Sequence, residues 1–377
     1  MLRAFLALAT ALALTAPARA VEITAPRALL IDLDAGVTLI ARDAAAPFRP
    51  GNFTKLMTAD LVFEALEAGE TTLDTTYPIS EHAWRTGGAP AGVTTMFAEV
   101  NSDVSVRDLL DGLIVQNAND AAIVFAENLA GGEAAFAERM TARAGELGTT
   151  DTVFMDPTGL GESGQTTIFD LAALCLHIMA AHPDGFARYD LPEFAWNGIA
   201  QRNKNPLSQS VEGVDGFLLA YDETAGYGLA LTAARNGRRV LLIESGLASE
   251  QARLSEATAL LNWVFDGFQE VELFTGTEVV GTIDVYGGSV DAVDLIGNAP
   301  IVALLPNEGR DAITAAIVYD APLAAPIEQG EVVAHLELTD GNGMVQSFPL
   351  HAAATVSHGT MTQRAGDALR HLLFFWR

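Results

Sequence analysis

Groups able to act as nucleophiles or metal ligands are sparse in this chain. Cys175 is its only cysteine, which excludes an internal disulfide. It lies in the stretch Asp170-Leu171-Ala172-Ala173-Leu174-Cys175-Leu176, on an apolar helical pattern, and is expected as a buried structural thiol rather than a reactive one. The seven histidines are scattered, with no His-x-x-x-His pair and no grouping with acids at metal-ligand spacing. Neither a metal site nor a cofactor is expected. Ser208, Ser210 and His182 offer hydroxyls and an imidazole, but no spacing links them into a catalytic set, so they read as ordinary loop and helix-end residues.

The elements that would position a site follow from hydrophobic periodicity. Ala28 to Asp32 and Val37 to Ile40 read as strands joined by the Ala35-Gly36 turn. Thr54 to Ala68 is apolar nearly all round, as a central buried helix would be. Further helices are expected near 105–115, 117–131, 133–147 and 168–182. Strands are expected at Gly228 to Thr232 and Val240 to Ile243, and a closing helix near 249–267. Strands at both ends with helices between them predict an α/β (α+β) domain on an antiparallel sheet, over residues 21–268. After about Glu270 short alternating runs, such as Thr282 to Val285 and Val332 to Leu336, are separated by Gly, Asn, Asp and Pro turns. These predict a small β-rich domain over 269–357.

The two ends are of other kinds. Arg3, the apolar run Phe5 to Leu14 and Ala18-Arg19-Ala20 form a signal-peptide pattern, with cleavage expected after Ala20; the alternative is a buried N-terminal helix. In residues 358–377, Met361, Ala365, Leu369, Leu372, Leu373 and Trp376 share one helical face. Arg364, Arg370 and Arg377 are opposed only by Asp367. Such a basic amphipathic segment suits a membrane surface, and otherwise a helix packed on the β domain. The whole chain carries a formal charge of −27. A protein this acidic repels phosphate backbones, so nucleic acid is excluded as a partner.

Several stretches, in order and spacing, resemble the low-molecular-mass penicillin-binding proteins, the serine-type D-alanyl-D-alanine carboxypeptidases. They include Lys55-Leu56-Met57-Thr58, Ala83 to Gly88, Val106 to Leu110, Asn119-Asp120-Ala121, Asp156-Pro157-Thr158-Gly159-Leu160, Trp196 to Ile199, Asn203 to Leu207, Val214-Asp215-Gly216 and Ala225-Gly226-Tyr227. The resemblance covers essentially the whole mature chain. It implies a β-lactamase/DD-peptidase-like fold and a cleft carrying three motifs: SxxK for the nucleophile and its base, SxN for proton relay and substrate amide, KTG for the substrate carboxylate.

At those places stand Asn52-Phe53-Thr54-Lys55, Asn117-Ala118-Asn119 and Leu218-Leu219-Ala220. Only Lys55 and Asn119 match the family's pattern. Asn52 has no hydroxyl to ionise, and loss of a serine nucleophile in a comparable enzyme costs on the order of 10⁶ in rate. Thr54 is the nearest hydroxyl, but two residues along a helix turn it by about 200°. Leu218 and Leu219 cannot replace charge-assisted bonds worth roughly 1.5–3 kcal/mol each. Asn117 can bond but cannot relay a proton, and Ala220 crowds the approach. Lys55 is expected to pair with Asn52, Asn117 and Asn119 in a compact polar network. Leu218 and Leu219 are in a position to close the cleft by packing on Phe53. Tyr221 either stacks on a sugar or covers the sheet edge.

The expectation is a periplasmic, catalytically silent carboxypeptidase homologue at the outer face of the inner membrane. It would bind a peptidoglycan stem peptide or a cell-wall enzyme in a regulatory role. Its rivals are an active DD-carboxypeptidase or related hydrolase with a rearranged site, and a purely structural adaptor.

Overall fold

The computed structural model describes residues 21–340 and 344–365. The signal-peptide reading of residues 1–20 and most of the tail's apolar face, from residue 366 on, lie outside the described residues. Among the described residues no helix is long and apolar enough to cross a membrane.

The first unit is built on five strands: β1 (Arg27–Asp32), β2 (Val37–Arg42), β3 (Val214–Asp222), β4 (Gly226–Arg235) and β5 (Arg238–Leu247). They lie in the order β2-β1-β5-β4-β3, with every neighbouring pair antiparallel. The chain therefore enters the sheet, leaves to build the helices, and returns to complete it. Because successive side chains of a strand point to opposite faces, the sheet has two apolar sides. Leu229, Leu231 and Leu242 pack with Leu260, Leu261 and Val264 on one of them. The last three belong to α6 (Glu250–Gly267), whose N-cap Ser249 accepts from the amide of Ala252.

The opposite face meets a helical cluster. It comprises α1 (Thr54–Glu67), α2 (Val106–Gln116), α3 (Asn119–Ala130), α4 (Glu133–Glu146) and α5 (Ile168–Ala181). Helix α1 is buried along most of its length, with Leu56, Met57, Leu61, Val62 and Phe63 in one core with Leu241 and Ile243 of the sheet. Its all-round apolar sequence thus reflects a central position. Burial of each such side chain contributes about 1.5–3 kcal/mol.

Strands β4 and β5 run longer than the sequence patterns suggest. They are joined by only Asn236 and Gly237, at φ 53° and 83°. Two left-handed residues match the twist of a tight hairpin, and Asn-Gly is the pair that tolerates them.

Helix α6 runs straight into the second, β-rich unit at β6 (Phe268–Phe274), where Phe268 stacks edge-on to Trp263 at 4.8 Å. Strand β6 pairs with Ile301–Pro306, and a six-stranded sheet carries Val279–Tyr286, Ala292–Ile296, Thr314–Val318, Leu323–Ala324, Val332–Thr339 and Val345–Ala352. Leu295, Ala303, Leu336 and Leu350 lie in its separate core.

Candidate active site

Asn52 sits in a 3₁₀ turn, Gly51–Phe53, which leads directly into α1. Residues three apart eclipse in 3₁₀ geometry, so the turn places position 52 over the first turn of the helix that bears Lys55. Two close approaches fix this turn. Gly51 has φ 50°, and a Cβ there would lie 2.5 Å from the Tyr221 carbonyl oxygen, so only glycine lets the turn come this near the end of β3. Phe53 is buried edge-on against Phe48 and fills the space over Gly228, where a Cβ would be 2.9 Å from its ring.

Lys55 is 1% exposed, and its Nζ donates to the Thr158 carbonyl at 2.7 Å. That carbonyl belongs to the Asp156-Pro157-Thr158-Gly159 loop, which Asp156 holds by accepting from the amides of Thr158 (2.8 Å) and Gly159 (2.6 Å). Thr58, one turn further along α1, donates to Pro157 O at 2.7 Å. Burial lowers the Lys55 ammonium from 10.5 to about 7, although the nearby Asp156 and Asp120 carboxylates oppose the shift. An amine titrating there is poised as a base near neutral pH.

Asn117-Ala118-Asn119 forms the corner between α2 and α3. Asn117 adopts the left-handed conformation that ends α2, φ 58° and ψ 38°, which asparagine tolerates better than most side chains. Its Nδ2 donates to Leu219 O at 3.1 Å, tying the corner to β3, the edge strand. Asn119 Nδ2 donates to Thr94 O at 2.9 Å. Both carboxamide oxygens are buried without a protein hydrogen-bond partner. Next to them Asp120 accepts from the amides of Met96 (3.1 Å) and Ala98 (3.3 Å) and from the Thr95 hydroxyl (2.5 Å), pinning the 94–98 loop. Burial nevertheless raises its carboxyl above the ordinary value.

Leu218, Leu219 and Ala220 are all buried on β3. Leu218 and Ala220 share the helical-side core with Phe53, whereas Leu219 lies in the core facing α6. Tyr221 is half-exposed, its ring 4.7 Å from that of Tyr227.

Two expectations are corrected by these positions. The compact Lys55–Asn52–Asn117–Asn119 network does not form, because Lys55, Asn117 and Asn119 each donate to a different backbone carbonyl. Only Leu218 of the leucine pair joins the core of Phe53; the strand pleat sends Leu219 to the other side. Spacing along the chain showed no metal-ligand grouping, yet in space Asp60, His177 and His182 converge.

Arg253 is a residue that sequence reasoning missed. It is buried on α6, and its Nη1 donates to Ala220 O (2.8 Å) and Gly228 O (3.2 Å), clamping β3 to β4 next to the site. The signal was present. Arg253 lies four residues before Ala257 and seven before Leu260, on the stripe that α6 buries. Cys175 is fully buried, which pushes its thiol well up, while Ser208 and Ser210 donate to Asn205 O and Pro206 O within their own short turn.

An antiparallel sheet between one long helix and a helical cluster, with a buried lysine-bearing helix starting against the edge strand, defines a DD-peptidase-like domain. The D-alanyl-D-alanine carboxypeptidase family profile matches residues 13–246, and that of the penicillin-binding protein 5 C-terminal domain matches residues 268–358. The chain belongs to the D-alanyl-D-alanine carboxypeptidase family. It is 32% identical over 354 residues to D-alanyl-D-alanine carboxypeptidase DacD of Escherichia coli K12, covering 93% of this chain and 91% of the relative. Among solved structures it is similar to the carboxypeptidase DacD of Francisella tularensis, with a TM-score of 0.76 at 26% identity, covering 93% and 97% of the two chains. Penicillin-binding protein 5 of Haemophilus influenzae matches with a TM-score of 0.69 at 28% identity, over 89% and 98%.

Proposed function

We propose that this chain is a catalytically silent D-alanyl-D-alanine carboxypeptidase homologue. It binds a peptidoglycan stem peptide, or a cell-wall enzyme that handles one, and acts as a regulator. The observation that carries this reading is a base without a nucleophile. Lys55 is buried and tuned to about 7, but the position three residues before it bears a carboxamide. Amide nitrogen has no basic lone pair, and Asn52 has no hydroxyl for Lys55 to deprotonate.

The far side of the site supports the same reading. A substrate carboxylate brought to Leu218 would be desolvated against an apolar side chain. Asn117 and Asn119 fit the peptide-binding half of the proposal. Their unpartnered buried oxygens are acceptors that a peptide N–H can satisfy, and leaving such a group unpaired costs about 1–3 kcal/mol.

The proposed setting is the periplasm, reached through the signal sequence in residues 1–20. Residues 358–377 would hold the protein at the outer face of the inner membrane. Residues 21–268 and 269–357 are proposed as its two folded domains.

The test is D-alanine release from a pentapeptide stem by the purified chain, with Lys55→Ala as the contamination control, alongside co-sedimentation with sacculi. No release from either protein, with retention on sacculi, is the expected result. Release by the wild-type chain that vanishes in Lys55→Ala would overturn the silent reading. Failure to sediment with sacculi would point instead to a protein partner.

A further inference from the structure

Helices α1, α4 and α5 meet at a cluster that the reading above leaves unused. Asp60 is fully buried on α1, His177 is half-buried on α5, and His182 is buried at the residue that ends α5. Asp60 Oδ1 lies 3.4 Å from a ring nitrogen of each histidine, and one ligand atom from each of the three fits within 4.8 Å of the others. Five residues along a regular helix turn a side chain by about 500°, so two histidines at this spacing would diverge. They converge here because His182 leaves the helix, at φ −123° and ψ 58°.

The hydrogen-bond pattern says what the cluster is shaped to hold. His182 Nδ1 is 2.7 Å from Glu67 Oε1; a carboxylate only accepts, so Nδ1 carries a proton, and Nε2 faces Asp60 Oδ1. Both of those atoms are buried without a hydrogen bond. Arg143 Nη2 lies 3.1 Å from His177 Nε2, and a guanidinium only donates, so that nitrogen presents a lone pair. Asp60 Oδ1 and the two Nε2 atoms thus converge, with Arg143 occupying the His177 nitrogen while no ion is bound. Asp60, Glu64, Glu67 and Glu146 surround them with Arg143, a formal charge of −3 before the histidines are counted.

We propose that Asp60 Oδ1, His177 Nε2 and His182 Nε2 bind a divalent transition-metal ion of the zinc type, which staples α1 to α5. Ligands about 2.1 Å from a tetrahedral ion lie about 3.4 Å apart, the separation seen at Asp60. Glu67 plays the outer part, its carboxylate orienting the ligating ring as in carboxylate–histidine–zinc sets. Arg143 withdraws from His177 toward Glu64 and Glu146 when the ion enters, and the partly open side at His177 is the entry. The site is separate from the Asn52–Lys55 region and does not depend on the proposed loss of catalysis.

The experiment titrates Zn²⁺ into the chelator-treated full chain by calorimetry, and Co²⁺ by visible absorption. Wild-type protein is expected to bind one Zn²⁺ saturably and to give the intense bands of tetrahedral cobalt. His177→Ala, at a half-buried position, should weaken Zn²⁺ binding by at least tenfold. Glu67→Gln, at an exposed carboxylate, should weaken it by about 10–100-fold. His82→Ala, which alters the exposed His82–Glu133 pair elsewhere, should change nothing. Equal Zn²⁺ affinity in wild type and His177→Ala, or the absence of tetrahedral cobalt bands in wild type, would overturn the proposal. Either result would mean that the cluster is a proton-sharing ion-pair network.

Discussion

Lys55 gives up its water shell to stand inside α1 with the Thr158 carbonyl as its partner, and this has a measurable cost. In the unfolded chain its amine holds a proton up to 10.5, but in the folded protein only up to about 7. Between those values the unfolded state binds more protons, so stability rises with pH across the window; the burial penalty is complete below about 7 and gone above 10.5. Lys55→Met is therefore expected to raise the thermal midpoint at pH 6 and to leave it nearly unchanged near pH 10. Melting curves at the two pH values check this. An active hydrolase would accept such a cost to hold a tuned base; on the proposed reading the base persists beside Asn52, which has no hydroxyl to give it.

At the scale of elements, the sheet carries a titration of opposite sign. Glu244 on β5 is buried, and that burial, together with the charge of Glu256 on α6, raises its carboxyl from 4.5 to about 9. The folded state then keeps a proton that the unfolded state loses, so stability falls as pH rises between about 4.5 and 9, by at most about 1.4 kcal/mol per pH unit. Glu244→Gln should flatten this part of the stability–pH curve in denaturant titrations and stabilise the protein most near pH 9. The central helix and the β5 apolar run were legible in the sequence because periodicity records burial directly. The inner limits of β4 and β5 are carried by Asn236-Gly237, a hairpin signal that the apolar runs alone do not contain. Glu244 and Arg253 were harder, since a charged residue on an apolar stripe looks like an interruption until its partner across the sheet is known. Positions 52, 117 and 218–220 are singled out by resemblance alone. The bonding of the site was not legible, because each partner carbonyl lies at least 25 residues away in sequence.

At the scale of the whole molecule, a chain of formal net charge −27 carries Arg364, Arg370 and Arg377 in residues 358–377. An anionic bilayer repels such an acidic body, and the proposed membrane contact is assigned to that segment. Deleting residues 366–377 is expected to abolish sedimentation with anionic vesicles, and added salt should weaken binding of the intact chain. Unchanged sedimentation after the deletion would place the membrane contact elsewhere. Sequence and fold agree in family over nearly the full length of the relatives, so the proposed loss of chemistry lies in a handful of side chains within a retained framework. Acylation tests those side chains most directly. Purified protein incubated with penicillin and weighed intact by mass spectrometry should show no added mass, in wild type as in Lys55→Ala. A single penicilloyl adduct on the wild type, absent from Lys55→Ala, would contradict the silent site and make this chain a working serine-type enzyme by another hydroxyl.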